Sequence, residues 1–173
     1  ISTGEALSKK LGRELIDYGK SLWNFYGPTE TVIYATAKQI SKQDLEEGNP
    51  DHWVSIGKAL PETKALILDD KMQSLPPGNA GELYISGFRV ANGYHNRKQK
   101  TAEVFLQSPL NKGALLYKTG DLVIREADGN IRYINRMDNQ VKLRGHRIEL
   151  GEIEAKIRNY PSVNEAIVLL SFN

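Results

Sequence analysis

Cysteine is absent from the 173-residue sequence. This excludes a disulfide framework, a thiolate metal site and a covalent thioester on the chain itself, and it is compatible with a reducing compartment. Histidine is scarce: His52, His95 and His146 lie far apart and lack ligand spacing, which argues against a His-based metal cluster or nucleophile relay. Long apolar runs are missing too. The longest, AIVLL at 166–170, is far too short to span a bilayer, and no charged-then-apolar leader opens the chain. An excess of one charge is also lacking, because 23 basic and 21 acidic side chains leave a formal net charge of only +2. That balance points to neither nucleic acid nor an acidic membrane. A soluble, cytoplasmic protein is expected. There is no internal repeat, no low-complexity segment and no phosphate-cradling GxxxxGK(S/T).

What is present is a globular composition, 40% hydrophobic, long enough for one domain or one and a fraction. From residue 2 to 22, Leu7, Leu11, Leu15, Tyr18 and Leu22 recur at three- and four-residue spacing, and Ser2 with Glu5 is placed like a capping box. An amphipathic helix is expected there. The stretch WNFYGPTE turns at Gly27-Pro28, and TVIYATAKQI after it is rich in β-branched and aromatic residues, a strand pattern. A polar loop, SKQDLEEGNPDHW, follows. From about residue 54 short strands alternate with turns: KALILDD, LPPGNAG, GELYISG, GALLYKTGDLVIRE, ADGN, IRYINR. VKLRGHRIE reads as a hairpin across Arg144-Gly145-His146, and LGEIEAKIRNYP as a short helix before a last strand. Ile1 in place of Met and the apolar run at the other end predict a segment cut from a longer chain.

Three constellations stand out, and the first two each carry two readings. Around residues 24–30, either a tight bend packs Tyr26 and leaves Glu30 in water, or a ligand site is built. In the second, Tyr26 offers a flat face, Thr29 a hydroxyl for a phosphate oxygen and Glu30 a hard oxygen; one carboxylate plus substrate phosphates is how Mg²⁺ is usually held. In YKTGDL, Asp121 follows a Thr-Gly turn and is either solvated in a hairpin or able to accept both hydroxyls of a ribose. Tyr133 and Arg136 end a strand, and Lys142, Arg144, His146 and Arg147 form a basic hairpin. Its plain reading is a solvated face, and the lack of interleaved aromatics argues against nucleic acid. GELYISGFRVANGYHNRKQKTAEVF reads as strand and turn.

Taken together, STGEAL, NFYGPTE, GELYISGFRVANGYHNRKQKTAEVF, YKTGD and GNIRYINRMDNQVKLRGHRIELGEIE resemble, in order and spacing, the later motifs of nonribosomal peptide synthetase adenylation domains, within the acyl-adenylate-forming enzymes. The resemblance covers nearly the whole chain. It implies ATP-dependent activation of a small carboxylic acid and transfer of the acyl group to the phosphopantetheine thiol of a carrier-protein domain. It also implies an α/β fold. Residues 1–137 would be the C-terminal part of the large core, with sheet and helices at 1–60 and a β-rich unit at 61–137. Residues 138–173 would start the small mobile C-terminal domain.

Carried over by position, the resemblance implies that Asn24 hydrogen-bonds adenine, Tyr26 stacks on it and the backbone near Gly4, Glu5 and Ala6 lines it. Thr29 would meet the α-phosphate and Glu30 would hold Mg²⁺. Asp121 would take the ribose hydroxyls with Arg136 assisting and Tyr133 nearby. Ile1, Thr3, Phe25, Ile33 and Tyr34 would line the acyl pocket, and Asp138 would be the hinge of the small domain. The family's upstream phosphate loop and its C-terminal lysine have no counterpart in the sequence, and Asn135 stands where Gly is usual. The segment alone is expected to be inactive. Two rivals remain: an acyl-CoA or aryl-acid ligase of the same superfamily, and a non-catalytic nucleotide-binding assembly module.

Overall fold

The computed structural model describes residues 1–46, 53–111, 113–143 and 145–171, and within them the strands form three sheets, all antiparallel. The first sheet joins β1 (Leu22–Tyr26), β2 (Thr36–Ile40) and β3 (Lys58–Ala59). The α1 (Lys9–Leu15) and α2 (Lys42–Glu46) helices contact each other beside it. Leu7, Leu22, Ile40, Leu45 and Val54 make up their shared core. The helix expected from Ser2 starts only at Lys9. Ser8 is its N-cap, with Oγ accepting the Leu11 N–H at 3.1 Å. The backbone of Ser2 is instead claimed by β1: Ser2 N–H donates to Trp23 O at 2.7 Å and Phe25 N–H donates to Ser2 O at 2.9 Å. A backbone already paired at a strand edge cannot also start a helix.

The strand expected from Thr31 begins at Thr36, while WNFY, read as the approach to a turn, is itself β1. Between them Thr29–Thr31 is a single 3₁₀ turn, and Val32 is held at φ 73°, a conformation a β-branched residue rarely adopts. Gly27 is required by a close approach, since a Cβ there would lie 2.2 Å from Ile33 O. Within the expected polar loop, Ser41 and Asp44 cap α2 reciprocally; the loop's residues 47–52, His52 among them, lie outside the described residues.

The second sheet runs β4 (Thr63–Leu68), β5 (Ala80–Gly87), β7 (Leu115–Arg125), with β6 (Phe105–Gln107) and β8 (Ile131–Arg136) both paired to β7. One seven-residue helix, α3 (Lys98–Val104), interrupts the segment read as strand and turn only. The Thr-Gly step before Asp121 is not a turn. Residues 115–125 form one strand, and Gly120 sits in it at φ 73°, where a Cβ would come within 2.8 Å of Arg136 Nη2. Ile56 N–H donates to Ile131 O and Ile131 N–H to Gly57 O, tying the first sheet to the second. Ala35, Ile56, Ile67, Leu83, Ile85, Val123 and Ile131 form the core between them.

The third sheet is the expected hairpin, β9 (Gln140–Leu143) with β10 (His146–Glu149), followed by α4 (Leu150–Arg158). Arg144 lies outside the described residues. The last strand does not form: residues 165–170 have no regular structure and no sheet partner among the described residues. An apolar run has strand form only where a neighbouring strand takes its backbone groups. No helix among the described residues is long and apolar enough to cross a membrane.

Candidate functional site

Strand alternation sorts the side chains. On β1, Leu22 and Asn24 point inward and are buried. Phe25 belongs to the other face, where its ring lies 4.5 Å from that of Tyr34 and 5.9 Å from that of Trp23. On β7, Tyr117, Thr119, Asp121 and Val123 are all buried, so the two-residue period carries a carboxylate into the core. Asp121 is only 4% exposed, which overturns its reading as a solvated hairpin residue.

Two polar clusters result. In the first, Tyr26 donates its O–H to Asp121 Oδ2 at 2.5 Å. Arg136, opposite Asp121 in the β7–β8 register, donates Nη1 to Asp121 Oδ1 at 3.1 Å and to Thr119 O at 2.8 Å. Its Nε donates to Asp138 Oδ1 at 2.8 Å, and Nη2 pairs with Asp138 Oδ2. Burial raises the Asp121 carboxyl above its ordinary range, against the opposing charge of Arg136 and the Tyr26 hydrogen bond. The Tyr26 phenol is pushed well up by burial and by the Asp121 charge, so it stays a donor. Tyr133, half-buried beside them, is raised to about 12, first by burial and then by Asp121. Asn24, 2% exposed, commits its amide nitrogen to Ser55 O at 2.9 Å and Val54 O at 3.5 Å.

The second cluster centres on Glu30, 5% exposed and not in water. Arg147 Nη1 donates to its Oε1 at 2.8 Å, and the Tyr94 O–H donates to the same oxygen. Oε2 is buried with no hydrogen-bond partner among the described residues. Burial alone would raise this carboxyl, but the Tyr94 hydrogen bond, the backbone and the Arg147 charge together hold it below its ordinary range. Tyr94 is itself raised to about 12 by burial and by Glu30. The hairpin docks at a second carboxylate as well, since Gly145 N–H donates to Glu5 Oε1 at 2.6 Å.

The other expected residues fall around these clusters. Thr29 is exposed next to Glu30, and Ala6 is half-buried, while Gly4 and Glu5 are exposed. The Ser2–Asn24 bridge runs parallel, so Ile1 lies beside Trp23 and Thr3 beside Phe25. Ile1 and Ile33 are 79% and 61% exposed, whereas Phe25 and Tyr34 are half-buried. Asp138 is at the step from the second sheet to the hairpin, accepting from Gln140 N–H at 3.1 Å as well as from Arg136.

Sequence reasoning missed Tyr94 and the pairing role of Arg147. Nothing local links Tyr94 to a residue 64 positions earlier. For Arg147 a signal existed: in the hairpin register it is opposite Lys142, so both cations share one face. That face meets the acids, and the charge of Lys142 acts on Asp121.

No group of three or more His, Cys, Asp or Glu among the described residues could hold a metal by itself. The orphaned Oε2 of Glu30 is a fitting single oxygen for a hard cation whose other ligands come from a bound phosphate.

A family model described as "AMP-binding enzyme" matches residues 1–95. Tyrocidine synthase 2 of Brevibacillus parabrevis is 42% identical over 171 residues, covering 98% of this chain and 5% of that protein. Among solved structures, PA1221, an NRPS protein containing adenylation and PCP domains, is 33% identical with a TM-score of 0.86, covering 99% of this chain and 34% of that one. The Vibrio cholerae adenylation domain AlmE, solved in complex with glycyl-adenosine-5'-phosphate, is 31% identical with a TM-score of 0.82, covering 94% and 30%. The chain thus spans a small fraction of the synthases it matches and about a third of the solved domains.

Proposed function

Since the chain belongs to the AMP-binding enzyme family, we propose that it is the part of a nonribosomal peptide synthetase adenylation domain that carries the nucleoside contacts, the metal carboxylate and one wall of the acyl pocket. The reaction is ATP-dependent. The carboxylate of an amino or related acid attacks the α-phosphorus, diphosphate leaves, and an acyl-adenylate remains. A carrier-domain phosphopantetheine thiol then attacks the acyl carbon, and AMP leaves. Such displacement depends on positioning and on neutralised charge. By itself the segment is inactive, because positioning needs the rest of the domain.

The observation that carries this reading is the buried Asp121, held by the Tyr26 O–H and Arg136. A carboxylate kept out of water but already hydrogen-bonded is preorganised to accept two adjacent hydroxyls, as a ribose offers. Tyr26 sets its ring beside the same spot, and Asn24, with its nitrogen committed, has its carbonyl oxygen left to meet a base N–H. Thr29 and the backbone at Gly4, Glu5 and Ala6 complete the nucleotide contacts. Mg²⁺, when bound at Glu30, neutralises phosphate charge. Phe25, Tyr34, Ile33, Ile1 and Thr3 face the acid, and Asp138 is the pivot of a small domain, 138–173, that includes the hairpin and α4.

The test is acid-dependent AMP formation by the full-length protein across a panel of amino and aryl acids, with carrier domain or coenzyme A as acceptor. Asp121→Asn should raise the KM for ATP by about tenfold or more, the loss of one charge-assisted hydrogen-bond acceptor. No AMP with any acid, or an unchanged KM, would refute the reading.

A further inference from the structure

A cavity of about 500 Å³ lies where the start of β4 meets the end of β5, closed by the residues that follow β5 and those that lead into β7. None of its lining residues is among the nucleotide, metal or acyl contacts above. The two strand ends are held backbone to backbone: Phe88 N–H donates to Glu62 O at 3.2 Å, and a Cβ on Gly87 would come within 2.2 Å of that oxygen. Thr63 lines the cavity and is 8% exposed, yet its Oγ1 has no hydrogen-bond partner among the described residues. A buried hydroxyl is costly until something supplies a partner. Ser86, also buried at the wall, donates its Oγ to Leu115 O at 2.9 Å and keeps that oxygen free to accept.

The side chains around Thr63 narrow the ligand. Glu62 and Lys64 flank it, both line the cavity, and neither has an ion pair or side-chain hydrogen bond among the described residues. A bare anion would meet Glu62 and a bare cation Lys64, whereas a zwitterion answers both. The side-chain amides of Asn92 and Asn111, equally uncommitted, add donors and acceptors at the rim. Among the described residues no aromatic ring lines the cavity, so a base has no stacking platform; Val90 and Leu115 form an apolar wall instead. Spacing decides the length. Thr63 is in strand form, so the Cα atoms of Glu62 and Lys64 are about 6.6 Å apart, two strand rises. The ammonium and carboxylate of a single amino acid share one Cα, but those of an extended dipeptide are about 6 Å apart. Its one amide then falls opposite the Thr63 hydroxyl.

We propose that this cavity binds an uncapped dipeptide, with its ammonium on Glu62, its carboxylate on Lys64, its amide on the Thr63 hydroxyl and an apolar side chain against Val90 and Leu115. The site goes beyond the adenylation reading and does not depend on it.

Calorimetric titration of the full-length protein with alanyl-leucine tests it, beside the N-acetylated dipeptide, the dipeptide amide and free leucine. The uncapped dipeptide should bind about tenfold or more tightly than either capped form, each of which lacks one charge-assisted contact. The double variant Glu62→Gln, Lys64→Gln should weaken it by about tenfold or more, with thermal unfolding as the check that it folds. Thr63→Val keeps the shape of the buried side chain and removes its hydroxyl. It should weaken dipeptide binding by about fivefold without lowering Tm, because no group of the protein loses a hydrogen bond. Leucine held in the acyl pocket should respond to neither variant. No binding of alanyl-leucine, equal affinity for capped and uncapped forms, or equal affinity in wild type and both variants would overturn the proposal. So would a loss of leucine binding in the variants as large as that of the dipeptide, which would make a single amino acid the ligand.

Discussion

Arg147→Met keeps the aliphatic stem and removes the charge that answers Glu30. The ion pair is lopsided: the Glu30 side chain is 5% exposed and that of Arg147 38%. Exposed pairs are worth about 0–1 kcal/mol, and stripping a partner from a buried pair costs about 3–5 kcal/mol. Solvent screening on the Arg147 side puts the loss between these limits, about 2 kcal/mol, or roughly a 30-fold change in an equilibrium constant. The cost falls on docking of the β9–β10 hairpin, because the bond spans 117 positions and joins that hairpin to the turn after β1. Hydrogen exchange of the amides at 145–149 should therefore speed up about 30-fold in the variant, while amides of β5 and β7 keep their protection. The pH dependence gives a second check. The folded Glu30 carboxyl lies below its ordinary value of 4.5, so its pairing contributes stability above that pH, and the contribution is lost as pH falls through the folded pKa. Without Arg147 the carboxyl rises and this acid-labile contribution shrinks. Unchanged exchange at 145–149, or the same acid profile in both proteins, would refute the pairing.

Phe25→Ala opens volume beside Tyr34, and acid preference should move toward larger side chains by about 1–3 kcal/mol per methylene accommodated; an identical ranking of acids would exclude Phe25 from the pocket. Asp138→Pro fixes φ near −65° at the step into the hairpin, and it should slow thiol transfer while largely sparing acyl-adenylate formation. Single-turnover rates of the two half-reactions check this, and equal losses in both would refute the hinge. Gly27→Ala drives a Cβ to 2.2 Å from Ile33 O, a backbone atom that cannot swing aside. Denaturant unfolding should show a loss of about 2–4 kcal/mol, the range of severe packing or strain lesions, and a loss below about 0.5 kcal/mol would mean the turn relaxes freely.

Much of this protein was legible locally. The strands β4, β5, β7 and β8 and the hairpin across Gly145 follow from period-2 patterning and turn residues, which act over a few positions, whereas β6 and the continuity of β7 through Thr119-Gly120 do not. Residue chemistry at Tyr26, Thr29, Glu30, Asp121 and Arg136 left a bend, a solvated hairpin and a ligand site all open, and it is the resemblance of the motifs around them, in order and spacing, that implies a nucleotide site. Where local preference competed with a distant strand, it lost: the capping box at Ser2 gave way to pairing with β1. Whether a carboxylate is in water is likewise decided by what packs over it. Glu30 and Asp121 carry no local mark of burial; they are enclosed by Tyr94, Arg147, Tyr26 and Arg136, from 15 to 117 positions away. Sequence by itself therefore determined which groups the site could use and which strands would carry them. The tertiary structure decided which carboxylate oxygen stays unpaired, which cations stand over it and where the cavity opens, because those depend on elements that meet only when the sheets and the hairpin pack together.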